Sequence, residues 1–124
     1  MILIQFWKPI LWLAIIAKLS LMAGNKLPSV PVVLHMDKLV HAGMYFVLAF
    51  LLSRPVLRTG IKRPYLWIVV FCLVTGLLIE ILQKYYAYHR SGSLLDELAN
   101  ITGAILGILF FHYVIRNSRW EKWI

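Results

Sequence analysis

Charge is scarce in this 124-residue chain: 15% of its residues are charged, where an average soluble domain has roughly a quarter. Cysteine is scarcer still. Cys72 stands alone, which excludes an intrachain disulfide and any cysteine-based zinc motif. Its place inside an apolar run reads as a small buried hydrophobe. Acidic residues number 5 against 13 Lys and Arg, for a net charge of +8. That excess suggests nucleic acid at first, but the cations lie mainly in short gaps between apolar runs. No contiguous basic polar surface exists, so nucleic acid is excluded as a partner and anionic lipid headgroups are the expected one. The chain also lacks a serine or cysteine nucleophile motif, a phosphate-cradling glycine loop, internal repeats and low-complexity segments.

Apolar residues are abundant: 61% of the chain is hydrophobic and the mean hydropathy is +0.79. A soluble domain this small could not bury so much apolar surface in one core. Four runs have the length of a spanning helix, about 20 residues. They cover residues 10–27, 38–57, 65–86 and 94–115. All are continuous and too long for strands. Gly24, Asn25 and Pro28 to Pro31 break the first pair of runs, Pro55 to Pro64 the second pair, and Arg90 to Ser93 the third. The first run lacks a basic n-region and a small-x-small cleavage site, and Lys18 interrupts it. It is therefore read as a retained span rather than a signal peptide. The expected fold is an all-α membrane protein, one domain over residues 1–124, built as a bundle of four transmembrane helices.

The cations orient the bundle. With four spans, both termini and the middle loop share a side that holds Lys8, Arg54, Arg58, Lys62, Arg63, Arg116, Arg119 and Lys122, eight in all. The other side holds four: Lys26, Lys38, Lys84 and Arg90. The excess marks the first side as cytoplasmic, so both termini are expected inside. Acids follow the opposite pattern. Asp37, Glu80, Asp96 and Glu97 fall at or near outer helix ends, as do His35, His41 and His89, leaving Glu121 and His112 toward the inside.

Spacing then gathers the polar residues. Asp37, His41 and Tyr45 recur every fourth residue and share one face of the second helix. Glu80 and Gln83 share a face of the third. Asp96, Asn100, Gly103 and Gly107 follow a 4, 3, 4 spacing on the fourth. A charge at mid-bilayer costs at least ~2.5 kcal/mol, so polar stripes turn inward, and three of them converge in the outer half of the bundle. Glu80 follows Gly76-Leu77-Leu78-Ile79 within a span and needs a partner; Arg90, Lys38 and His41 are the nearest by topology. Each residue also has a purely structural reading. Asp37 suits an N-cap, Ser93-x-x-Asp96 a capping box, Gly103-x-x-x-Gly107 a close-packing surface, and Glu80 a buried ion pair. Lys18, mid-span, either snorkels or turns inward.

The ordered set Asp37-Lys38-x-x-His41-x-x-x-Tyr45, Glu80-x-x-Gln83 and Arg90-Ser91-x-Ser93-x-x-Asp96-x-x-x-Asn100-x-x-Gly103 resembles the VanZ-like family. These are bacterial membrane proteins named for a protein associated with resistance to teicoplanin, a glycopeptide that binds cell-wall precursors. The resemblance implies a multi-pass protein of the bacterial inner (plasma) membrane.

Three functions fit these residues. The first is an outer-leaflet binding site for the anionic head of a lipid-linked cell-wall precursor, or for a lipophilic glycopeptide. Arg90 and Lys38 would face the anion, with Asp37, Tyr45, Gln83, Asp96 and Asn100 as further ligand contacts, and helix N-termini would assist. The second is a hydrolase or transferase on a lipid-linked substrate, with His41 as general base and Asp37 or Glu80 as its orienter. The third is a structural subunit that packs into an envelope complex through Gly103 and Gly107. Neither a cofactor nor a metal is expected, since Asp37 and His41 supply two ligands at most.

Overall fold

Proline decides where the first helix starts. In the computed structural model of the chain, the described residues are 2–22, 36–86 and 94–124, with the side chains of Ile2, Met36 and Asp37 excepted. A 3-10 turn, Ile2–Phe6, leads into α1, Trp7–Met22. The helix begins three residues before the expected residue 10. Pro9 sits in its first turn, where a missing N–H forfeits no intrahelical bond. The predicted residues 23–27 lie outside the described residues, as do the expected breaker at Gly24 to Pro31 and the Arg90 to Ser93 link.

The second helix, α2 (Met36–Arg58), runs through Pro55, which the sequence placed in the connecting loop. Pro55 is fully buried three residues before the helix end, so packing outweighs the one backbone bond it removes. The helix stops where Thr59 Oγ1 donates to the Val56 carbonyl (2.7 Å) and Gly60 turns left-handed at φ +72. Helix α3, Pro64–Tyr86, opens on a proline. Helix α4, Leu94–Phe110, continues as a π-turn, Phe111–Ile115. Four helices are thus long and apolar enough to cross a membrane, and the described residues contain no strand.

Helices α2 and α4 form the most extensive contact, and glycine is the reason. A Cβ at Gly103 would lie 2.0 Å from the Ala42 carbonyl oxygen, and one at Gly107 2.2 Å from that of Phe46. Backbone meets backbone along this seam. Beside it, Phe46 and Phe50 pack on Phe110 with ring centroids 5.8 Å apart, and Phe50 meets Phe111 edge-on. Gly103 and Gly107 are therefore occupied inside the bundle. This corrects the subunit reading that assigned the same face to an outside partner.

Single polar bonds tie α1 to α2 and to α3. Trp12 Nε1 donates to the Met44 carbonyl of α2 at 2.9 Å, and Gln83 Nε2 of α3 donates to the Ser20 carbonyl at 2.8 Å. The four cationic helix ends collect on one face. There Arg54 donates to the Lys122 carbonyl (3.1 Å), Lys8 donates to that of Trp123, and Tyr65 O–H meets His112 Nδ1 at 2.8 Å. Arg116 Nη1 also points at that Nδ1 from 3.4 Å; with two donors facing it, this nitrogen accepts. Lys18 is exposed on the outer surface of α1 and does not join the interior.

Candidate functional site

At the end of the bundle opposite the cationic face, three helices turn polar side chains inward. Helix α2 contributes His41 and Tyr45, 8% and 1% exposed; α3 contributes Glu80 and Gln83; α4 contributes Glu97 and Asn100, 5% and 2% exposed. Depth follows from helix geometry. Glu97 lies three residues into α4, about 4.5 Å from its start, and Tyr45 nine residues into α2, about 13 Å, at ~1.5 Å per residue. The cluster thus reaches from the membrane surface toward the middle of an apolar core ~30 Å thick.

Glu97 is its centre. Asn100 Nδ2, one turn on, donates to Glu97 Oε2 at 3.2 Å. The carboxylate rests against the α3 backbone at Gly76, where a Cβ would stand 2.3 Å from Oε2 and 2.9 Å from Oε1. Any side chain larger than hydrogen at residue 76 would displace it. His41 lies within electrostatic reach of Glu97, and Glu80 within reach of both Glu97 and Asp96. The first turn of α4 carries both Asp96 and Glu97, where the positive end of the helix dipole favours carboxylates.

Several polar atoms in this cluster find no partner among the described residues. Among the described residues, Tyr45 Oη, Glu80 Oε1, Glu97 Oε1 and Asn100 Oδ1 are all buried without a hydrogen-bond partner. Asn100 Oδ1 only accepts, and the two carboxylate oxygens accept when ionised, so what the cluster presents is chiefly a set of acceptors. At its rim, partly buried, Lys38 Nζ pairs with Asp96 Oδ1 at 3.4 Å. No group of three or more His, Cys, Asp or Glu among the described residues is arranged to hold a metal ion.

The sequence-selected residues divide accordingly. His41, Tyr45, Glu80, Gln83 and Asn100 come together. Lys38 and Asp96 form the rim pair, so Lys38 is taken up by Asp96 rather than by Glu80. Arg90 and the side chain of Asp37 lie outside the described residues. Gln83 acts as a tie to α1 through Ser20 rather than facing its acceptor neighbours with its amide N–H. Sequence spacing places Glu97 at the outer end of its helix but does not bring Glu97, Gly76 or Ser20 into the cluster. For Glu97 a signal existed: counting back from Asn100 by three instead of four reaches it, and 97, 100, 104, 107 is as regular a helical stripe as 96, 100, 103, 107.

The Gln83 bond gives a direct check on the α1 contact. Gln83→Leu is expected to lower bundle stability by about 0.5–1.5 kcal/mol, the usual worth of an interhelical hydrogen bond in a membrane. Unfolding in mixed detergent micelles followed by circular dichroism measures it; an unchanged midpoint would show that α1 is held by apolar packing alone.

No curated protein and no solved structure matches the chain. A sequence model of the VanZ/LLP1 family, however, matches residues 3–116, which take in all four helices and every residue of the cluster, and the chain belongs to that family.

Proposed function

We propose that this protein binds the polar head of an amphiphile, a lipid-linked cell-wall precursor or a lipophilic glycopeptide, at the outer leaflet of a bacterial inner membrane. The carrying observation is the set of buried oxygens on Tyr45, Glu80, Glu97 and Asn100 that have no partner among the described residues. Leaving such atoms unpaired costs about 1–3 kcal/mol each, and a ligand rich in hydroxyl, amide or ammonium donors recovers that cost on binding. Saccharide and peptide heads have these groups. An anionic part of the same ligand would stay at the rim, near Lys38 and the α4 N-terminus, with Arg90 as a further cation. The apolar tail needs no pocket, because it remains in the bilayer. The predominance of cations on the opposite face supports an outward-facing cluster.

The test uses the full chain in lipid nanodiscs, titrated separately with a lipid-linked saccharide pyrophosphate precursor and with teicoplanin, and read by native mass spectrometry. Saturable binding of one of them is expected, weakened about 10- to 100-fold by Glu97→Ala, the range for losing a hydrogen bond to a charged group. Arg119→Ala, at the other membrane face, serves as the control. Absence of saturable binding for both, or equal loss in the two variants, defeats the proposal. Release of a cleaved head group during the titration would move the assignment to the hydrolase or transferase reading, in which His41 beside Glu97 is the base.

A further inference from the structure

A second feature lies in the half of the bundle that the polar cluster leaves untouched. Helix α1 is tied to α2 by Trp12 on Met44 and, at the cluster end, to α3 by Ser20 on Gln83. Toward the cationic face it parts from α3. The gap is a lateral groove of about 610 Å³, within the range of small-molecule sites, roughly 300–1,000 Å³. Ile10 and Leu13 form one wall, Trp67, Phe71 and Val74 the other, and α2 the floor around Leu52. Its lining is wholly aliphatic and aromatic, so water gains nothing by entering. Because all four helices are apolar enough to span a membrane, the medium at its open side is hydrocarbon.

Charge decides which hydrocarbon. The groove ends at Ile61, in the turn between α2 and α3. That turn carries Arg58, Lys62 and Arg63, all exposed, and Lys8 adjoins the lining residue Pro9. Among the described residues, none of these cations has a carboxylate within ion-pair distance. An apolar slot that opens beneath a cationic collar is complementary to one kind of molecule, a lipid with an anionic head. A second copy of the chain would bring its own cationic face to the same level and meet repulsion there. We infer that this groove is a binding site for an anionic phospholipid, one acyl chain lying between α1 and α3 and its phosphate at the collar of Arg58, Lys62 and Arg63.

The test reads Trp67 directly. A variant that keeps Trp67 alone, with Phe at residues 7, 12, 120 and 123, is placed in vesicles containing equal fractions of phosphatidylcholine and phosphatidylglycerol. The acyl chains of one lipid or the other are brominated. Bromine on phosphatidylglycerol is expected to quench Trp67 with about fivefold higher apparent affinity, the worth of one effective cation at the surface. The triple variant Arg58→Gln, Lys62→Gln, Arg63→Gln removes that preference. Val74→Phe, which fills the groove, lowers quenching by either lipid. A reference variant whose only tryptophan comes from Leu109→Trp, at an exposed position of α4, shows no headgroup preference. Equal quenching by the two lipids at Trp67, or indifference to both sets of substitutions, overturns the inference. So does quenching that falls as protein density rises, which would mean that a second copy occupies the groove. If the single-tryptophan variant does not fold, native mass spectrometry of the parent chain decides: co-purified phosphatidylglycerol is expected, depleted by the triple Gln substitution. Its absence from the parent chain counts against the site.

Discussion

Gly103→Ala is expected to destabilise the bundle by about 3 kcal/mol, the upper end of what overpacking costs. A single methyl suffices because of what it meets. The added carbon would stand 2.0 Å from the Ala42 carbonyl oxygen and under 3 Å from the same residue's carbonyl carbon and Cα. These are backbone atoms of α2, with no rotamer to move into, so the helix axes must separate by more than an ångström. Separation also unseats Gly107 from Phe46, one turn along. In a bilayer there is no compensating hydrophobic term, because lipid tails are as apolar as the helix faces, and close packing carries the association. Gly43→Ala is the matched control. Nothing lies within 4 Å of its Cβ, and alanine's better helix propensity, worth up to ~1 kcal/mol, makes that variant neutral or stabilised. Reversible unfolding in graded detergent mixtures measures both. A Gly103→Ala midpoint equal to that of the parent chain would mean that the two backbones are not in contact.

Gly76→Ala is expected to abolish most ligand binding while leaving the bundle folded. Here the intruding methyl meets the ends of flexible side chains, Glu97 Oε2 at 2.3 Å, Glu97 Oε1 at 2.9 Å and Asn100 Nδ2 at 3.0 Å. Those groups swing aside at modest cost, and the acceptor array loses its central carboxylate without any change in charge. Binding of the amphiphile should fall by about 10- to 100-fold. A double-mutant cycle makes the argument specific. If the methyl acts through Glu97, adding Gly76→Ala to Glu97→Ala costs little more, because both remove the same interaction. Full additivity in native mass spectrometry titrations would show that Gly76 matters for another reason, such as the spacing of α3 from α4.

The number and extent of the helices were legible because span length is a hard constraint. Leu94–Ile115 is recovered at both ends. The departures occur at prolines: α1 starts at Trp7, ahead of Pro9 in its first turn, and α2 runs on through buried Pro55. Membership in the VanZ/LLP1 family was legible from the ordered polar set. The cluster was legible in part. Spacing alone joins His41 to Tyr45 and Glu80 to Gln83, since one helix face is a local property. It does not separate two stripes one residue apart, and Asp96 was taken where Glu97 is the buried residue. The distinction is set by neighbours: Lys38 holds Asp96 at the rim, and only a glycine at residue 76 leaves room for Glu97 behind it. Neither fact lies within α4. For Glu80, a search for a cation missed that its buried oxygen is unpartnered among the described residues, with other carboxylates in electrostatic range.

The glycine seam joins the second helix to the fourth, with the whole of α3 between them in the chain. A ribosome delivers these segments in order, so α2 and α3 enter the bilayer before the surface that α2 is shaped to receive has been made. During that interval His41, Tyr45 and Glu80 lack Glu97 and Asn100, and the carbonyls of Ala42 and Phe46 lack their glycines. The arrival of α4 therefore closes the packing and completes the polar chamber in one event. Until then the inward-facing groups of α2 and α3 stand without the α4 side chains that surround them in the folded bundle.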